Sequence, residues 1–128
     1  MILIVDDMRE IVDWLVETVS DAGYYPDYAL DVPSALYKME RIVYSLAVID
    51  LRLQDGHTGN DLARQVKAMP EPFCDVPLVA MTGSHRLEAE EGLFAAVLQK
   101  PFLPRDLRDV IAAHARPPIK DIHAIGGK

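Results

Sequence analysis

The chain has 128 residues, 50% hydrophobic and 26% charged, with 20 acidic against 13 basic side chains and a net charge of −7. That is the length and balance of one soluble domain with a real core, and an acidic surface gains no counterion-release energy from DNA, so nucleic acid is not an expected partner. No apolar run reaches the ~20 residues of a membrane span, and the opening Met1-Ile-Leu-Ile-Val5 meets Asp6-Asp7 with no basic segment before it, so neither membrane nor signal peptide is expected and the location expected is cytoplasmic.

Ile2-Leu3-Ile4-Val5 is β-branched and apolar throughout, the pattern of a strand buried on both faces. Asp6-Asp7 ends it. Residues 8–22 repeat apolar positions at helical spacing, with Ile11, Leu15 and Val19 in one row and Val12 and Val16 in the next. Gly23 suits the residue after that helix. Tyr24 to Ala29 is a weaker strand in which Tyr24 and Tyr25 are expected to pack. Asp31-Val-Pro33-Ser34 opens a second helix, with Ala35, Leu36, Met39 and Ile42 facing inward. Ser45 to Ile49 is a third element and again a buried strand. It runs straight into Asp50 and the turn-rich loop that follows.

Thr58-Gly-Asn-Asp61 has the spacing of a capping box, with Asp in place of Glu or Gln. Leu62, Ala63, Val66 and Met69 form the apolar face of the helix it starts. The prolines of Pro70-Glu-Pro72 and Pro77 exclude helix from 70–77, and Cys74, the single cysteine, is expected as an inert filler in that loop. Leu78 to Met81 is a fourth strand ending at Thr82-Gly83. His85 to Glu91 suits a short helix. Ala95 to Leu98 is a fifth strand ending at Lys100-Pro101. Residues 104–115 form a last helix with Leu107, Val110 and Ile111 inward. Trp14 lies off the main apolar rows of the first helix and is expected to be partly buried.

Strands alternating with helices imply a five-stranded parallel sheet with helices on both faces and right-handed crossovers. Parallel strands share one carboxyl edge, where ligands and chemistry collect. Asp6 and Asp7, Asp50, Thr82 and Lys100 each follow a strand and are expected to converge there. Three carboxylates in one crevice raise one another's pKa unless a cation neutralises them. An oxygen-rich set of this kind suits Mg²⁺, which keeps several waters and accepts phosphate oxygens. Lys100 adds a positive charge and Thr82 a hydroxyl. Asp50 is then read as a nucleophile toward phosphorus, with the metal, Lys100 and Thr82 stabilising charge on the transferring oxygens.

The ordered set Val5-Asp6-Asp7, Val48-Ile49-Asp50-Leu-Arg-Leu53, Ala80-Met-Thr82-Gly83 and Lys100-Pro101-Phe102 resembles the receiver domains of two-component response regulators, over residues 1–115. The resemblance implies a flavodoxin-like (βα)5 receiver over 1–116; the tail over 117–128, from Pro117-Pro118 to Gly126-Gly127-Lys128, has little to bury and is expected to be flexible. It implies that Asp50 accepts a phosphoryl group from a histidine kinase or a histidine phosphotransfer protein. By the same resemblance Asp7 and Asp50 hold Mg²⁺, directly or with Asp6 through water, and the Arg52 backbone carbonyl adds a ligand. Thr82 and Lys100 contact the phosphoryl group, and the Lys100-Pro101 bond is cis. Such a chain is a phosphoacceptor, not an enzyme beyond its own phosphotransfer and autodephosphorylation. With 128 residues leaving no length for an appended DNA-binding module, its output is expected to be contact with a downstream protein or onward phosphotransfer.

Three features depart from the common receiver pattern, one of them the loop Gln54 to Gly59, which has Gln54 where proline is common and is one residue longer than the shortest version. The residue three before the lysine, often an aromatic that swings inward, is Val97, which leaves His85 or Phe94 to take that part. The stretch from Thr82 to Lys100 is several residues short, so the helix within it is expected to be short or mobile. Other functions weighed on the residues are an aspartyl-nucleophile phosphatase on a similar sheet, a flavin or nucleotide module, and an unphosphorylated scaffold receiver. The phosphatase expects an Asp-x-Asp after the first strand, and the nucleotide module a Gly- or Ser/Thr-rich loop there. Asp6-Asp7 supplies neither.

Overall fold

The computed structural model describes residues 1–53, 56–83 and 88–117. Five parallel strands form one sheet: β1 (Ile2–Val5), β2 (Pro26–Ala29), β3 (Leu46–Asp50), β4 (Leu78–Thr82) and β5 (Ala96–Gln99), in the order β2-β1-β3-β4-β5. Four α-helices lie among the described residues: α1 (Arg9–Asp21), α2 (Val32–Met39), α3 (Gly59–Lys67) and α4 (Pro104–His114). The order reverses between β1 and β3, because the chain first winds outward to β2 and then crosses back. A crevice at the carboxyl edge of the sheet is the consequence.

The continuous apolar runs of β1, β3 and β4 are explained by cover on both sides. Leu3, Val5, Ala47, Ile49 and Leu78 face one core with Val32, Ala35 and Met39 of α2 and Leu62, Ala63 and Val66 of α3. Ile2, Ile4, Leu46, Val48, Val79 and Met81 face the other, with Val12, Leu15 and Val19 of α1 and Leu107 and Ile111 of α4. Alternation along each strand sends successive side chains to opposite layers.

Local signals place the helices. After α1, Gly23 adopts φ 92°, its amide donates to the Ser20 carbonyl, and the Tyr24 amide donates to that of Val19. This pair of bonds satisfies two carbonyls at the helix end and needs a left-handed residue, which glycine supplies without strain. Asp31 caps α2 by accepting from the Ser34 amide at 2.8 Å. The Thr58–Asp61 capping box forms reciprocally, at 3.1 and 3.2 Å, so the shorter Asp suffices at the third position.

Several expectations shift. β3 and β5 each begin one residue later than expected, and β3 includes Asp50 itself. Within 70–77 a single 3₁₀ turn, Phe73–Asp75, forms between the prolines. It needs only a few bonds and places no proline where an amide must donate. Tyr25 is a correction: it precedes β2 and is 80% exposed instead of packed. Of the short helix expected over 85–91, residues 85–87, and with them His85, lie outside the described residues; Glu88 to Ala95 runs as turns with no α-helix. Phe94 packs against the core beneath α2 and α3. Gln54 and the tail from residue 118 also lie outside the described residues.

Candidate functional site

Parallel register brings the expected residues to one edge. Asp6 follows β1, paired on either side with β2 and β3; Asp50 closes β3; Thr82 closes β4, where Asp50 is in register with Met81. Lys100 follows β5, and its amide donates to the Thr82 carbonyl at 2.8 Å, which ties the end of β5 to that of β4. The Lys100-Pro101 bond is cis.

Asp6 is fully buried and Asp50 nearly so at 6% exposure, while Asp7 is half-buried. One carboxylate oxygen from each of the three lies within 4.8 Å of the others. The Lys100 ammonium sits 3.2 Å from Asp6 Oδ2 and 3.5 Å from Asp50 Oδ2, joining the ends of β1, β3 and β5. The Met8 amide donates to Asp6 Oδ1 at 2.9 Å, so the start of α1 holds that carboxylate in place. Arg52 reaches Asp50 through its backbone amide, which donates to Oδ1 at 3.4 Å.

Burial pushes the Asp50 carboxyl above its ordinary range; Lys100 pulls it down and the Asp6 charge pushes it up again. Among the described residues one lysine serves both Asp6 and Asp50, so an anion in this position is short of compensation. A hard divalent cation fits this need: the donors are all carboxylate oxygens, and their spread leaves room for coordinated water. The geometry supports a reaction in which one carboxylate oxygen reaches an incoming electrophile while cationic groups hold its charge.

The loop after β3 is shaped by Gly59. A Cβ there would meet the Asp50 carbonyl oxygen at 2.5 Å and Ile49 Cγ2 at 2.9 Å, so the start of α3 packs directly on the backbone of β3. The sequence marked Gly59 only as a member of the capping box. Glu88 was also missed. Its carboxylate accepts from the Thr82 hydroxyl at 3.3 Å and from the Arg52 guanidinium at 3.1 and 3.3 Å. A lone glutamate in a polar stretch has no periodicity to reveal this; only the folding back of the β4–β5 connection brings it to the edge.

Beside Lys100 lies an apolar crevice of about 370 Å³, lined by Ile11, Trp14, Pro101 and Phe102. The Trp14 and Phe102 rings are 5.5 Å apart and tilted, so Trp14 spends its bulk on this contact.

A parallel sheet of this order with acidic groups and a lysine at its switch point defines a CheY-like domain, and solved structures of that description superpose on it. A receiver domain (CheY-like) from Methylobacillus flagellatus matches with TM-score 0.79 and 27% identity, covering 88% of this chain and 95% of that one. One from Methanospirillum hungatei gives 0.78 and 29%, covering 88% and 90%. The response regulator TrrA of Thermotoga maritima, whose structure is a complex with Mg(2+)-BeF, gives 0.78 and 25%, covering 88% and 96%. The chain belongs to the response regulator receiver domain family, whose model matches residues 2–112. It is also 30% identical over 105 residues to the two-component response regulator PhoP of Pseudomonas aeruginosa, a match covering 79% of this chain and 45% of that protein. The chain thus spans about half the length of this curated relative. No helix among the described residues is long and apolar enough to cross a membrane.

Proposed function

We propose that this receiver is a phosphoacceptor switch in which Asp50 takes a phosphoryl group from a phosphohistidine on a histidine kinase or a histidine phosphotransfer protein. The observation that carries this reading is the convergence of Asp6, Asp7 and Asp50 within 4.8 Å of one another at the carboxyl edge of the sheet, with Lys100 paired to Asp6 and Asp50. An Asp50 carboxylate oxygen attacks phosphorus as the phosphorus–nitrogen bond breaks, and the imidazole nitrogen keeps the electron pair and takes a proton. Lys100 and the Thr82 hydroxyl are the groups suited to receive the phosphoryl oxygens. Asp6, Asp7 and Asp50, with the Arg52 carbonyl, are the residues that would hold Mg²⁺, which supplies positive charge against the transferring oxygens. The Mg(2+)-BeF complex of the related TrrA supports this assignment by analogy.

The chain is then a stoichiometric acceptor and not a turnover enzyme, signalling by contact with a downstream protein or by passing the phosphoryl group on. The apolar crevice of Ile11, Trp14, Pro101 and Phe102 adjoins Lys100 and suits a protein donor, whose side chains it can bury beside the acceptor. The test is incubation with acetyl phosphate and Mg²⁺, read by intact mass. One phosphoryl adduct is expected on the native chain and none on Asp50→Asn. An equal adduct on the variant would overturn the role of Asp50, and sustained hydrolysis of a phosphoester would point instead to a phosphatase.

A further inference from the structure

Glu88 stands between two sets of contacts. On its side-chain side it accepts from the Thr82 hydroxyl through Oε1 and from the Arg52 guanidinium through Oε2. On its backbone side, Asn60 Nδ2 donates to the Glu88 carbonyl at 2.7 Å, and the Glu90 amide donates back to Asn60 Oδ1 at 2.9 Å. Arg64 pairs with both Glu90 and Asp61. Residues 88–90 are therefore tied to the first turns of α3 by the backbone and to the acceptor edge by one carboxylate. Thr82 is 1% exposed and the Glu88 side chain 31%, so the contact between them is shielded from bulk water more than an ordinary surface pair.

A phosphoryl group on Asp50 introduces roughly −1.5 to −2 charge and three acceptor oxygens at this edge. The Thr82 hydroxyl carries a single proton, so it cannot donate both to Glu88 and to a phosphoryl oxygen. The Arg52 guanidinium pairs with carboxylate and phosphate alike, and the more highly charged phosphoryl group competes well for it. Two anions at one sheet edge also repel.

Resting on the reading of Asp50 as acceptor, we propose that Glu88 is a positioning residue that acts as a latch. It holds Thr82 and Arg52 in the unmodified chain and loses both to the phosphoryl group. Phosphorylation thus detaches residues 88–90 from the acceptor edge while Asn60 and Arg64 keep them tied to α3. The event at Asp50 becomes a rearrangement of the surface beside α3.

The test uses the whole chain, acetyl phosphate and Mg²⁺, comparing native protein with Glu88→Gln and Glu88→Ala. Two quantities are read: the initial rate of adduct formation by intact mass, and backbone hydrogen exchange over residues 88–90 with and without the adduct. In the native chain the adduct is expected to speed exchange at residues 88 and 89, while the Glu90 amide, still bonded to Asn60, changes little. Both variants are expected to form adduct roughly two- to fivefold faster, the range carried by one partly exposed charge pair. Their amides at 88 and 89 should already exchange fast before modification, with little further change after it. Unchanged adduct rates in both variants overturn the latch, even where exchange has risen, because a merely structural role loosens the segment without touching the chemistry. A phosphorylation-dependent gain in exchange as large in Glu88→Gln as in the native chain also overturns it. Absence of adduct on every chain, native included, instead removes the acceptor reading on which the latch stands.

Discussion

Asp50 is strained electrostatically. It is nearly buried, it lies against Asp6, and the nearest cation it has is shared. Its carboxyl titrates above the ordinary range in the folded chain, chiefly through burial. A carboxyl with a raised folded pKa contributes stability that is present below its unfolded pKa and lost as pH rises through the folded one. Without divalent metal, Asp50→Asn is therefore expected to melt at a higher temperature than the native chain at pH 7. The difference should shrink as pH falls below the ordinary carboxylate range; a difference constant with pH would refute this cause. Gly59 is constrained by space. Gly59→Ala gains helix propensity but drives a methyl group into the Asp50 carbonyl and Ile49. Overpacking of this kind costs roughly 1–3 kcal/mol, and urea unfolding should show a loss of that size together with slower adduct formation at Asp50.

Among the elements, the edge strand β2 shows how a short and partly polar segment is kept in place. Its four residues include one fully buried side chain, Ala29. What secures it is Asp27, which accepts from the Tyr44 hydroxyl at 2.7 Å and from Lys38 of α2 at 2.8 Å. Lys38 also donates to the Tyr28 carbonyl at 2.7 Å. Burial works to raise the Asp27 carboxyl, but the bonds from Lys38, Tyr44 and the Tyr28 amide outweigh it and hold the group below its ordinary value. Tyr44, 1% exposed, has its phenol pushed far up by burial and by Asp27. Tyr44→Phe removes a charge-assisted bond and is expected to cost about 1.5–3 kcal/mol at neutral pH. A lowered carboxyl contributes stability above its unfolded pKa that is lost as pH falls through the folded one, so the penalty should fade in acid. A penalty equal at pH 7 and in strong acid would show that packing, not the bond to Asp27, was lost. The helices needed no such remedy. Gly23, Asp31 and the Thr58–Asp61 pair are short-range signals, and each forms the cap its spacing implies.

Over the whole molecule, the two cores hold the sheet and its carboxyl edge is left to polar groups. A metal bound by Asp6, Asp7 and Asp50 must stabilise the native state, because the unfolded chain has no such cluster. At a Mg²⁺ concentration ten times the dissociation constant the gain is about 1.4 kcal/mol. The expected result is a melting midpoint that rises with Mg²⁺, returns to its starting value with a chelator, and responds far less in Asp7→Asn. An Asp7→Asn chain that responds as strongly as the native one would place the ion elsewhere.

The sequence by itself determined the strands, the helix starts and the set of residues at the sheet edge. Those signals are local: continuous apolar runs, helical spacing, capping pairs, and polar residues at the ends of β1, β3, β4 and β5. Once alternation makes the sheet parallel, its residues at the strand ends have to meet, which is why Asp6, Asp7, Asp50, Thr82 and Lys100 were legible from Val5-Asp6-Asp7, Ile49-Asp50, Met81-Thr82 and Gln99-Lys100. Only the tertiary structure decided which of these touch one another and what lies against them. That Lys100 spans Asp6 and Asp50, that Gly59 is pressed onto β3, and that Glu88 holds Thr82 and Arg52 all depend on contacts between segments far apart in the chain. The connection carrying Glu88 has no regular spacing to fix where its side chains point. Its position follows from hydrogen bonds to Asn60 and Arg52, which exist only after β3, β4 and α3 have packed.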